Sequence, residues 1–206
     1  CFYSHQGLTY GGLITSVKIT TKDTLETFEQ LNSELKKLGV TDVVYKPVPL
    51  IYNRIPAQED IYALYRIGAE KIGCNISSTI FQNSKPSFTE SRKSGIRKCQ
   101  KENVRISETK EFEAFWTILE NNLIDRFNTK PVHSYLEMGL LSSRFPENIK
   151  LFVVKHNEKI VAGSVLYIMN LIVHVQYISA SEDGKKIGAL DYLFDFLINK
   201  FLYLLI

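Results

Sequence analysis

Between residues 150 and 205 the apolar positions change rhythm. Leu151, Phe152, Val153 and Val154 form a short apolar run that ends at the polar turn 156–159. Two longer apolar runs follow, 160–169 and 171–178, joined at Asn170, and both have the length and composition of buried strands. From Ala189 the apolar residues recur at helical spacing. The order predicts strand, hairpin turn, strand, tight join, strand, a polar loop over 179–188, and an amphipathic helix running into a last strand within 194–206. Short turns between consecutive strands mean antiparallel pairing, so this part is a meander covered by helices and not a doubly wound sheet.

Upstream, Leu25, Phe28, Leu31, Leu35 and Leu38 share one helical face, with Gly39 as the stop, predicting a helix over 23–38. A second helix is predicted over 58–66, closed at Gly68. Strands are predicted over 13–19, 40–45 and 75–81, with Pro47 and Pro49 ending the middle one. The polar stretch 82–89 marks a composition shift, and a domain boundary is placed there, giving domains 1–85 and 86–206. After it come a basic helix over 91–101, a short strand over 104–106, and a helix over 111–127 with Phe112, Phe115, Trp116, Leu119, Leu123 and Phe127 at helical spacing. A further helix is predicted from Pro131 to Phe145. The class is α/β in the α+β sense, with mixed, mostly antiparallel sheets flanked by helices.

Composition changes this picture little. The 206 residues are 45% hydrophobic and 23% charged, with a net charge of +3, too small to argue for nucleic acid. Cys1, Cys74 and Cys99 are widely spaced and odd in number, which suits a reducing, cytoplasmic compartment and makes no metal-ligand pattern. No apolar span is long enough to cross a bilayer. The chain starts at a cysteine and stops inside an apolar stretch, so both ends are expected to be incomplete, with the missing sequence finishing the sheet.

The loop 179–188 carries the first chemical expectation. A strand-to-helix loop offers unpaired N–H groups and the positive end of a helix dipole to an anion, which points to a phosphate-bearing cofactor. On the strand before it, simple alternation sends Ile172, His174, Gln176 and Ile178 to one face and Val173, Val175, Tyr177 and Ser179 to the other. His174 and Gln176 then either line a solvated groove or are satisfied core residues, and His174 has a side chain suited to general base work near neutral pH. Arg92, Lys93, Arg97, Lys98 and Lys101 form a basic stripe, either a solvated face or a contact for an anionic acceptor. His5 and Tyr10 stand in a turn rich in glycine, at Gly7, Gly11 and Gly12.

The strand order with the loop Gly184-Lys-Lys-Ile-Gly188-Ala189 resembles the GNAT superfamily of N-acetyltransferases, although Leu190 stands where that loop has a small residue. The segment 4–12, Arg92 and Arg97, Pro131 and His133, Glu137, and Tyr177-Ile-Ser-Ala-Ser181 are similar to FemAB-like proteins, which join two such domains in tandem. The resemblance implies transfer of an acyl group from acyl-CoA to an amine of an amino sugar, peptide or amino-acid derivative, by direct attack in a ternary complex. It leaves open aminoacyl-tRNA as donor, with a cell-wall precursor as acceptor, and also a degenerate domain that binds a glycan or a protein without catalysis. It implies that Gly184, Lys185, Lys186, Gly188 and Ala189 hold the cofactor phosphates. His174, Glu137 and Glu182 are then candidate bases, Tyr177 a candidate acid, and His5, Tyr10, Arg92, Arg97, His133 and Gln176 candidate contacts for the substrate.

Overall fold

The computed structural model describes residues 1–5, 9–201 and 204–205. They form two compact units, Cys1–Ile76 and Ser77–Ile206. In the first, β1 (Phe2–Tyr3) pairs in parallel with β2 (Val43–Val44). Helix α1 (Thr21–Lys37) opens on a capping box, in which the Thr20 hydroxyl accepts from the Asp23 N–H and the Asp23 carboxylate accepts from the Thr20 N–H. Helix α2 (Glu59–Arg66) packs beside it over Phe28, Leu35 and Ala63. Tyr45 ties this unit together: its ring meets Phe28 edge-on at 5.5 Å, its hydroxyl donates to Asp60 at 2.8 Å and accepts from the Leu13 N–H at 2.6 Å.

Three expected strands differ here. Residues 13–19 form none, and Ile14 and Val17 are exposed; the Leu13 amide goes to Tyr45 instead of to a ladder. The strand expected over 40–45 shrinks to β2, and that over 75–81 to an isolated bridge at Ile80. Each segment is rich in residues that favour strands, but a strand needs a partner to satisfy its backbone. Residues 6–8 of the glycine-rich turn lie outside the described residues.

The second unit is built on a five-stranded sheet in the order β3-β4-β5-β6-β7. Its strands are β3 (Val104–Thr109), β4 (Ile149–His156), β5 (Lys159–Ile168), β6 (Ile172–Ala180) and β7 (Leu204–Leu205). All neighbours are antiparallel except β6 and β7, which pair in parallel at Ile172 and Val173. The β4–β5 turn has positive φ at Asn157 (50°) and Glu158 (63°), the pair of left-handed residues that matches strand twist in a two-residue hairpin.

Each face of the sheet has its own core. Helices α4 (Phe112–Phe127) and α5 (Tyr135–Arg144) cover Leu151, Val153 and Val165 with Phe112, Phe115, Trp116, Leu119 and Met138. The approach is close enough that a Cβ on Gly163 would meet the Phe115 ring at 2.7 Å. On the opposite face α3 (Glu90–Gln100), α6 (Glu182–Ile187) and α7 (Ala189–Lys200) cover Phe152, Val154, Ala162, Leu166 and Val173 with Cys99, Leu193 and Leu197. Helix α5 begins four residues after Pro131 because Ser134 and Glu137 form its capping box. Among the described residues no helix is long and apolar enough to cross a membrane.

Gly39 and Gly188 both have strongly positive φ, 76° and 77°, yet their surroundings differ. A Cβ at Gly39 meets nothing within 4 Å, whereas one at Gly188 would lie 2.6 Å from the Gly95 carbonyl oxygen of α3. Gly39→Ala should therefore cost only the left-handed strain, about 1 kcal/mol. Gly188→Ala should cost about 2 kcal/mol more than that, because backbone cannot yield as a side chain can. Urea unfolding of the two variants checks this, and equal losses would contradict the packing assigned to Gly188.

Candidate functional site

The register between β5 and β6 slips by one residue in mid-strand: Val165 faces Tyr177, but the next residue, Leu166, faces Val175. Gln176 is the extra residue, a β-bulge. A bulge reverses the alternation on one side of it, and the packing follows. Val173 and Val175 face the α7 core, as does Ala180, while Tyr177 packs in the α4–α5 core. Simple alternation had separated His174 from Tyr177. The bulge puts both on the α4–α5 face, where His174 lies 6.2 Å from the Tyr167 ring and Tyr177 meets Trp116 edge-on at 5.1 Å.

A run of hydrogen bonds links these side chains. The Trp116 indole N–H donates to the His133 carbonyl at 2.9 Å, fixing the α4–α5 connection against the core. The His133 backbone N–H donates to the Tyr177 hydroxyl at 3.4 Å, and His133 Nδ1 lies 2.7 Å from the same oxygen. Gln176 hydrogen-bonds both Tyr177 and His174. Burial pushes the Tyr177 phenol up, so it stays protonated, and the same burial pulls His174 down, so it stays neutral near pH 7. Tyr167, also half-buried, is pushed up to about 12 by burial and bonds the Met138 sulfur at 3.8 Å.

The two carboxylates read as candidate bases are engaged elsewhere. Glu137 is the reciprocal arm of the α5 capping box, accepting from the Ser134 N–H at 2.7 Å and its hydroxyl at 2.8 Å, and these bonds hold its carboxyl below the usual range. Glu182 pairs with Lys185 at 2.5 Å, which lowers its carboxyl likewise. Carboxylates stabilised as anions are weak bases.

The expected anion cradle also differs. Ser179 and Ala180 belong to β6, and 182–187 is the short helix α6, capped by the Ser181 hydroxyl accepting from the Gly184 N–H at 3.1 Å. The Lys185 N–H goes to the Ser181 carbonyl at 2.8 Å and the Gly188 N–H to the Lys185 carbonyl at 3.2 Å. These amides do not converge on an open space. The local sequence explains it: Ser181 followed by Glu182 and Asp183 is an N-cap with first-turn acids, and Gly188 supplies the left-handed exit. Ala189 is fully buried, Gly184 sits against the Val161 carbonyl, and Gly188 lies under α3. Both glycines serve close packing.

Other predicted residues are scattered. Lys185 bridges Glu182 and the Asn122 side-chain oxygen at 2.9 Å, and Lys186 pairs with Asp183 at 3.4 Å. Arg92 pairs with Asp191 of α7 at 2.8 Å, while Arg97 stands 3.7 Å from Glu90 of its own helix. His5 and Tyr10 belong to the first unit; His5 is exposed and the Tyr10 ring lies tilted against Tyr52 at 5.3 Å. Asn122 escaped the sequence reading. Its amide donates to the Ser179 hydroxyl at 2.7 Å and the Ala180 carbonyl at 2.8 Å, tying α4 to the end of β6. The signal available was a polar residue three positions after Leu119 on the inward face of an apolar helix.

Comparison with solved structures identifies this architecture. The C-terminal domain of a putative lysylphosphatidylglycerol synthetase from Agrobacterium fabrum superposes with a TM-score of 0.63 at 10% identity, covering 89% of this chain and 59% of that one. FemX superposes with a TM-score of 0.55 at 11% identity, covering 88% of this chain and 66% of its own. The fold is GNAT-like, of the FemAB-like kind. This chain therefore spans about three fifths to two thirds of the length of those two structures. A possible acetyltransferase from Clostridium difficile 630 matches over 47% of this chain, with a TM-score of 0.41 and 14% identity. No family model matches the sequence, and no curated protein matches it.

Within this GNAT-like sheet, β6 is the strand that carries the polar cluster. Beyond Val173 its outer edge has no strand partner among the described residues. His174 gives the cluster a measurable property. Its folded pKa lies below the ordinary 6.5, so on acidification the unfolded chain takes up this proton first. Stability should fall as pH drops below about 6.5, and His174→Gln should lose less stability than the parent between about pH 7.5 and about pH 5.5. Denaturant unfolding at both pH values checks this; parallel losses would place His174 in open solvent.

Proposed function

We propose that this chain is an acyltransferase that forms an amide from an aminoacyl ester, of the kind carried by tRNA, and an amine acceptor. The observation that carries the choice of donor is the state of the 181–188 segment. Its Gly184, Lys185 and Gly188 amides bond within the chain and α3 lies over Gly188, which argues against a coenzyme A diphosphate cradled on those three amides. A fold shared with FemX, and with a domain of a protein named for making lysylphosphatidylglycerol, is consistent with aminoacyl transfer.

The chemistry follows from the bulged strand. The acceptor nitrogen attacks the ester carbonyl, a C–N bond forms, and the C–O bond to the leaving hydroxyl group breaks. The attacking amine must shed a proton, and His174, held neutral by burial, is the base on this face. The departing oxygen needs a proton, and Tyr177, kept protonated by burial, is the source. Both stand on the same face only because of the bulge. A cytoplasmic site of action suits a tRNA-borne donor.

Two donors tested side by side decide the reading: aminoacyl-tRNA with an amine acceptor, and acetyl-CoA with the same acceptor. The full protein should transfer from aminoacyl-tRNA and show no calorimetric binding of coenzyme A, and Tyr177→Phe should lower the transfer rate roughly a hundredfold. Tight coenzyme A binding with acetyl transfer would overturn the choice of donor. Absence of transfer from either would favour a domain that binds without catalysis.

A further inference from the structure

The Tyr177 oxygen has two lone pairs and one hydrogen, and the surrounding groups can be counted against them. The His133 backbone N–H donates to it at 3.4 Å. That backbone N–H can only donate, so the phenol hydrogen needs an acceptor of its own, and Nδ1 stands 2.7 Å from the oxygen. The 2.7 Å contact between Nδ1 and the hydroxyl is then a bond in which Tyr177 donates and Nδ1 accepts. The remaining imidazole hydrogen sits on Nε2, which has no partner among the described residues, on a ring that is half-exposed.

We infer that His133, not Tyr177, hands the proton to the leaving group, with Tyr177 behind it as the proton source. This rests on the transferase reading above. As the C–O bond breaks, the departing oxygen takes the Nε2 hydrogen, and Nδ1 takes the Tyr177 hydrogen. The phenolate left behind is met by the His133 backbone N–H and by the new Nδ1–H. The proton removed from the attacking amine returns to Tyr177 by way of His174 and bulk water, and the cycle closes with no other reactant. The residue between α4 and α5 thus belongs to the reacting set, and Trp116, through its bond to the His133 carbonyl, positions it.

Among the described residues, two titratable groups stand near His133. Tyr177 meets the His133 ring edge-on from the sheet at 6.1 Å, Glu137 of α5 interacts with it electrostatically, and α4 presents Trp116, which does not titrate.

The test combines kinetics with a readout that needs no turnover. In His133→Asn the side-chain oxygen keeps the place of Nδ1 but nothing replaces the Nε2 hydrogen; in His133→Gln the amide nitrogen reaches toward Nε2 and the Tyr177 bond is lost. With aminoacyl-tRNA and an amine acceptor, kcat should fall about a hundredfold in His133→Asn, in Tyr177→Phe and in the pair together, with KM changed by less than about threefold. Nitrogen-15 spectra of the imidazole should show the hydrogen on Nε2 and a bare Nδ1 in the parent, and thermal melts should show both variants folded. A hydrogen on Nδ1, or parent-like kcat in His133→Asn, overturns this inference and leaves the transferase reading standing. No transfer by the parent protein overturns both.

Discussion

One inserted residue in β6 governs the arrangement of this domain. An antiparallel strand alternates its side chains strictly, and that rule would place Tyr177 beside Val173 and Val175 under α7. Gln176 breaks the rule. Below it the valines fill the α7 core; above it Tyr177 and Ser179 turn toward α4, where Trp116 and Asn122 receive them. A bulge interrupts the ladder, and the interruption is offset by that edge-on aromatic contact and by the Asn122 bonds to the end of the strand. The polar cluster is a consequence of this geometry more than of any single side chain.

The segment after β6 illustrates competition for the same amides. A strand-to-helix loop can offer its N–H groups to an anion only if the chain does not use them first. Here Ser181, two acids and Gly188 form a complete short helix with its own cap and exit, and Gly95 allows α3 to approach Gly188 closely. The acid Asp191 in the first turn of α7 already answers the helix dipole and is held by Arg92. The polar cluster of this unit stands on the strand before that turn.

Much of this was legible in residue order. The three adjacent strands, the hairpin at Asn157 and Glu158, and the helices α1, α4 and α7 follow from apolar period and turn chemistry, which act over a few residues. The bulge was not legible, because nothing local in Val-His-Val-Gln-Tyr distinguishes a regular strand from one with an extra residue; the mate on β5 decides. The partners of Glu137 and Ser134 were legible as a capping motif, and reading Glu137 as a base overlooked it. The stretch at 13–19 misled for the opposite reason: its residues favour a strand, but strand formation depends on a neighbour elsewhere in the chain.

The arrangement turns on which side of the sheet Tyr177 occupies, and proton–proton contacts in solution report that directly. A nuclear Overhauser spectrum of the labelled protein should connect the Tyr177 ring protons with the Trp116 indole and the His133 amide, and the Val173 and Val175 methyls with Leu193 and Leu197. Contacts from the Tyr177 ring to the Leu193 and Leu197 methyls would mean that β6 alternates without a bulge, and the site described for this domain would not exist.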